Sequence, residues 1–201
     1  MTRDSSPPPT TTAKPGRYLT FKLGQESYGL PVLGIREIIR LCPITPVPRM
    51  PEYIKGVINL RGKVIPILDL RARFQLSSES YGERACIVVV QVGAPPATVT
   101  LMGAIVDAVE EVVQLSEAEL QPTPDFGGSP DTSYILGMAT IHGGVKTLLD
   151  LNKVFLEEGL LTLVSSQTLT AGFARNPSLR DFSANCGEAS GKDSNSQDRT
   201  V

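Results

Sequence analysis

Tryptophan is absent from this 201-residue chain, histidine occurs once, and aromatic residues make up only 5%. With His142 alone, no metal site can be assembled from a histidine cluster. The three cysteines, Cys42, Cys86 and Cys186, are odd in number, far apart and never in C-x-x-C spacing. A disulfide framework or a zinc site is therefore not expected, and a reducing cytoplasm fits best. Long hydrophobic runs are missing too: the longest, Ala85–Val90, is far short of the roughly 20 residues a membrane helix needs. The opening Met-Thr-Arg-Asp-Ser-Ser-Pro-Pro-Pro has no apolar segment, so no secretory signal is expected. A net charge of −2 argues against a strongly basic nucleic-acid surface.

Reaction motifs are equally scarce. No G-x-G-x-x-G, G-x-S-x-G or H-E-x-x-H occurs. The string from Gly56 to Gly62-Lys63 looks superficially like a phosphate loop. It has five residues between the glycines, however, ends in Val64, and has no helix after it to hold an anion. The adjacent carboxylates Glu110-Glu111 and Glu157-Glu158 would point to opposite faces of a strand and could not share a substrate. Cys86, in a valine-rich strand, reads as a small buried hydrophobe, and His142 as an exposed turn residue. No catalytic, cofactor-binding or metal-ligating residue is assigned. The chain reads as a binding module, not an enzyme.

What is present is apolar material for one domain or two small lobes: 41% hydrophobic and 20% charged residues. Residues 1–16, rich in Pro, Ser and Thr, read as a disordered leader, and residues 161–201 as a mostly disordered tail. Between them, strands are expected over 19–23, 28–32, 57–60, 64–70, 86–92, 99–106 and 146–151. Arg61-Gly62-Lys63 and His142-Gly143-Gly144 sit between apolar runs as hairpin turns. Helical patterning is confined to short pieces at 51–55, 116–120 (opening with Ser116 and Glu119) and 152–161. The charge divides unevenly: residues 18–84 carry +4 and residues 85–165 carry −8. That split is either ordinary solvated surface or two lobes meeting different partners.

An internal repeat is the most informative feature. Tyr28-Gly29-Leu30, Val32, Ile35, Glu37-Ile38-Ile39 and Leu41 lie over Met102-Gly103-Ala104, Val106, Val109, Glu111-Val112-Val113 and Leu115 at an offset of 74. Gly56 to Val64, Leu68-Asp69-Leu70 and Phe74 lie over Gly137 to Val145, Leu149-Asp150-Leu151 and Phe155 at an offset of 81. Two homologous lobes are expected, a first barrel over 17–84 and a second, with a closing helix, over 85–160. Glu37 and Arg61 stand out as charges beside apolar runs; they form either a plain ion pair or a fork for a partner's carboxylate. Phe126 follows a proline-stiffened loop and is either an interface anchor or folded back on its own lobe.

The stretch Gly56-Val-Ile-Asn-Leu-Arg-Gly-Lys-Val-Ile-Pro-Ile-Leu-Asp-Leu-Arg71 closely resembles the central signature of the bacterial chemotaxis coupling-protein family, CheW. The likeness extends through Tyr28-Gly-Leu-Pro-Val, Ile35-Arg-Glu-Ile, Met102-Gly-Ala-Ile-Val-Asp and Leu120-Gln-Pro-Thr-Pro-Asp-Phe, over roughly residues 18–160. The resemblance implies an all-β fold of two intertwined five-stranded SH3-like barrels, no catalytic activity and no cofactor. It implies an adaptor that joins chemoreceptor cytoplasmic tips to the regulatory domain of the histidine kinase CheA, recruited from the cytoplasm to the receptor array. Positions matching family contacts are Ile35, Gly56 and Phe126 toward the kinase, and Glu37 and Arg61 for receptor coupling. Ring assembly with the kinase or with other adaptor copies follows, without nucleic acid and without direct membrane insertion. With about 40 unstructured residues after the second barrel, a stand-alone form is expected. The alternatives are an equivalent adaptor in a non-flagellar chemosensory pathway, controlling pili or another output, and a small ligand-binding β-barrel protein.

Overall fold

The computed structural model describes residues 13–76, 80–93, 99–124 and 132–155. Eleven strands and two short helices follow one another in that span. In chain order the strands are β1 Gly16–Leu23, β2 Glu26–Pro31, β3 Ile35–Arg40, β4 Ile54–Leu60, β5 Lys63–Asp69 and β6 Cys86–Val92. They continue with β7 Thr100–Val106, β8 Ala108–Leu115, β9 Leu120–Gln121, β10 Ile135–Ile141 and β11 Gly144–Leu149. Helix α1 (Leu70–Arg73) follows β5, and α2 (Leu151–Phe155) follows β11.

These strands form two sheets, one ordered β3-β6-β7-β5-β4 and the other β8-β1-β2-β11-β10-β9. The repeat explains the order. Each copy supplies a leading hairpin (β1–β2 or β6–β7) and a remainder, three strands (β3–β5) in the first copy and four (β8–β11, with β9 only two residues long) in the second, and each hairpin completes the other copy's sheet. The expected pair of intertwined barrels is therefore present, but the division at 84/85 does not match it. The first barrel is residues 35–106, and the second combines β1 and β2 with everything from β8 onward. Packing supplies the reason. The alternate residues Ile87 and Val89 of β6 fill the first barrel, whereas Val88, Val90 and Val92 enter a core shared with β1, β2 and α2. Such a strand is buried on both faces and reads as an unbroken apolar run.

Parallel pairings hold the exchanged hairpins in place: β7 runs alongside β5 (Ile67 opposite Gly103) and β2 alongside β11 (Thr147 opposite Tyr28). Each barrel is then closed by the chain beyond its third strand, through Thr45 opposite Val57 and through β9 opposite Met138 and Ala139. Bulges recur at equivalent places. Arg36 is the extra residue where β3 meets β6, and Lys55 and Leu136 are extra in β4 and β10. Opposite Thr20, β8 has two residues, Glu110 and Glu111.

Three local expectations change. Residues 51–55 form a turn, with the Ile54 N–H donating to the Pro51 carbonyl at 2.9 Å, and β4 starts at Ile54. The ordered chain begins before residue 17: Ala13 is buried, and its N–H donates to the Leu136 carbonyl at 3.0 Å. The terminal helix spans Leu151–Phe155, with 156–161 outside the described residues, as is the rest of the expected tail. The short helical turn Glu117–Glu119 does form, closed by reciprocal bonds between Ser116 and Glu119.

Candidate partner-docking site

Both hairpin turns expected from sequence place two residues with positive φ at their tips: Arg61 (52°) and Gly62 (82°), and His142 (50°) and Gly143 (78°). The first turn is braced by the Gly62 N–H donating to Asn59 Oδ1 at 2.9 Å. This geometry carries the Arg61 side chain back over the barrel seam. There its Nη2 lies 3.0 Å from Glu37 Oε2 on β3. Glu37 and Arg61 therefore pair with each other, with Arg61 71% exposed and Glu37 28% exposed. Ile38, next to Glu37 on β3, and Val64, three residues after Arg61 on β5, are both exposed. Arg61 thus keeps most of its surface available while already holding a carboxylate.

Ile35, the first residue of β3, is half-buried and packs against the shared core. Gly56 sits beside the Lys55 bulge with φ 138°, and a Cβ there would overlap the Thr45 carbonyl and lie 2.9 Å from Pro46 Cα. Only glycine lets β4 come this close to the chain that closes the barrel. Ile35, Glu37 and Arg61 thus share β3 and the β4–β5 turn, while Gly56 shapes the adjoining closure. Phe126 lies outside the described residues.

Sequence reasoning missed a clamp between the barrels. Arg71 at the start of α1 directs Nη2 and Nε at Asp107 Oδ2, at 2.7 and 2.8 Å. The same oxygen accepts the Gly24 N–H at 2.6 Å, and the Asp107 N–H donates to the Lys22 carbonyl at 3.0 Å. One carboxylate thereby ties α1, the β1–β2 turn and the β7–β8 connection together. Its only sequence signal was the single aspartate interrupting Val106 and Ala108. Nearby, Asp69 caps α1 through the Arg71 and Ala72 N–H groups and accepts the Tyr81 hydroxyl at 2.6 Å. Burial, together with the Asp69 carboxylate, pushes the Tyr81 hydroxyl's pKa far up, so it stays a proton donor. Asp150 caps α2 in the equivalent way, through Asn152 and Lys153.

The two adjacent glutamates of β8 each have their own partner. Glu110 meets Lys146 Nζ at 2.7 Å and the Ser27 hydroxyl at 3.1 Å; Glu111 meets His142 at 3.3 Å. The bulge opposite Thr20 leaves Glu110, Glu111 and Val112 all exposed, in place of the alternation expected for a regular strand. Among the described residues, no group of three or more His, Cys, Asp or Glu is placed to hold a metal ion. No helix among them is long and apolar enough to cross a membrane.

Two interleaved small barrels, with paired charges and exposed aliphatic residues at their seams, define a binding scaffold. Comparison with known proteins gives the family. The CheW-like domain matches residues 17–158, and the chain belongs to that family. It is 33% identical over 141 residues to the chemotaxis protein CheW of Klebsiella aerogenes, covering 70% of this chain and 82% of that protein. To the chemotaxis protein CheW of Rhizobium meliloti it is 35% identical over 140 residues, covering 70% and 87%. Among solved structures, the scaffolding protein TtCheW from Thermoanaerobacter tengcongensis superposes with a TM-score of 0.64 at 32% identity, covering 73% of this chain and 96% of that one. The chain is a CheW-type scaffold of chemotaxis signalling and not an enzyme.

Proposed function

We propose that this protein couples chemoreceptor cytoplasmic tips to the regulatory domain of the histidine kinase CheA, working in the cytoplasm at the receptor array. The observation that carries the reading is the face built by β3 and the β4–β5 turn. There Glu37 of β3 pairs with Arg61 of the turn, Ile35 begins the same strand and Gly56 shapes the adjoining closure, inside a chain that belongs to the CheW-like family. Ile35, Gly56 and Phe126 are assigned to the kinase contact, and Glu37 and Arg61 to receptor coupling. An adaptor of this kind works by holding two partners in one geometry, so that a shift in one biases the other through differential contacts. Alternating contacts with kinase domains or further adaptor copies would close rings.

Titration calorimetry against the regulatory domain of the same organism's kinase tests the reading. Saturable binding that Ile35→Asp weakens supports it. Absence of binding by two folded proteins overturns it. Receptor co-sedimentation tests the other arm: Arg61→Glu should abolish it while leaving the fold intact.

A further inference from the structure

The second barrel repeats the seam of the first with different charges around it. Glu111 lies 74 residues after Glu37 and His142 lies 81 after Arg61, and the two meet at 3.3 Å as their counterparts meet at 3.0 Å. The exposed aliphatic residues repeat as well: Val112 (47% exposed) corresponds to Ile38, and Val145 (59% exposed) to Val64. The cations do not repeat. Arg36, Arg40 and Lys63 of the first seam give way to Glu110, Gln114 and Gly144 in the second. Residues 108–121 carry four glutamates, all exposed, and neither lysine nor arginine. Lys146 of β11 answers Glu110. The turn that holds Glu117 and Glu119 borders the β10–β11 hairpin, where Gln121 Nε2 donates to Thr140 Oγ1 at 3.5 Å. The second seam is thus an exposed aliphatic pair with an acidic rim.

The chain itself holds a segment of matching chemistry. Residues 159–180 contain no acidic residue, and within them 169–180 combines Leu169, Phe173 and Leu179 with Arg175 and Arg180. The described structure ends in α2, at the far end of β11 from the β10–β11 turn. The six residues of β11 span about 20 Å. The stretch 156–168 extends to at most about 45 Å, enough to carry the segment back along that strand. We propose that residues 169–180 dock on the second seam of their own chain, with their apolar side chains over Val112 and Val145 and their arginines against the acidic rim. The cations around the first seam repel the same arginines, which selects the second. A tether of this length gives a local concentration on the order of millimolar, so a contact of small area is sufficient. Docked there, the segment shields the exposed valines of the second barrel and leaves the first seam open, whichever partner that seam takes.

The test is NMR of the full chain, reading the amide and methyl signals of Val112 and Val145, with Ile38 and Val64 as controls. Phe173→Ser and, separately, Arg175→Glu/Arg180→Glu should shift the signals of both valines and leave Ile38 and Val64 unmoved. Raising the salt concentration should shift the wild-type valine signals the same way, by screening the arginines from the rim. Glu111→Arg/Glu117→Arg should abolish the response to Phe173→Ser, and adding Arg175→Glu/Arg180→Glu to that variant should restore it. Valine signals that stay put in both segment variants would overturn the proposal, as would movement at Ile38 and Val64 instead. Wild-type signals that change on dilution would assign the segment to a neighbouring copy and overturn docking within one chain.

Discussion

The sequence offers Glu37 and Arg61 either as a plain ion pair or as a fork for a partner and does not choose between them, because the pair spans 24 positions and forms only when the seam closes. Charge reversal separates the two uses. In a urea-unfolding cycle of Arg61→Glu, Glu37→Arg and the double variant, the coupling should stay within about 0–1 kcal/mol, since Arg61 is largely solvated. A coupling well above that would make the pair a structural element first. Gly56 differs in kind. Gly56→Ala places a Cβ against the Thr45 carbonyl at a positive φ and should cost about 2–3 kcal/mol in the same assay. A binding defect at Gly56 is thus expected to come with a loss of stability, whereas one at Arg61 is not. Glu110 gives the pH dependence. Burial alone would raise its pKa, yet the Lys146 and Ser27 contacts, with Lys22, bring it below the usual glutamate value. Its stabilising contribution is therefore present above the unfolded glutamate range, about pH 4.3, and is lost as pH falls through the lower folded value. Chemical denaturation between pH 7 and pH 3 should show Glu110→Gln losing less stability on acidification than the parent.

At the level of elements, strands were legible wherever alternation or a continuous apolar run marked burial, as in 19–23 and 86–92, and both hairpin turns were legible from their glycines. The edge strands β3 and β8 showed in the repeat rather than in any pattern of their own: the bulge of β8 breaks its alternation, and β3 alternates in burial but half-buries Glu37 and exposes Ile38. Residues 51–55 carried a helix-like composition that pairing with β5 overrode. The Arg71–Asp107 clamp was hidden for another reason: a buried ion pair between separate elements leaves no periodic trace. It joins three elements through one oxygen, and neither side chain is more than 14% exposed. Asp107→Ala should therefore cost about 3 kcal/mol, by leaving the guanidinium buried without its carboxylate. The double variant Arg71→Leu/Asp107→Ala should recover part of that loss in thermal or urea unfolding. Full additivity of the two single changes would show that the pair does not hold the barrels.

For the whole molecule, the repeat made two lobes legible, but not which strands belong to which. Homologous copies can stand side by side or trade hairpins, and sequence similarity is the same either way. The exchange has a direct test. Fragments 1–84 and 85–201 each end up with an incomplete barrel, so each should lack cooperative unfolding alone and regain it on mixing, as followed by circular dichroism. Independent folding of either fragment would contradict the interleaved topology. Between the barrels the chain passes twice, once through Val32–Gly34 and once through the single residue Asp107. Two such stays, attached at different points, leave no slack for one barrel to swivel freely on the other. Were a partner to dock on the β3 face as proposed, its push would reach the far barrel through both links at once, as along a crankshaft and not through a hinge.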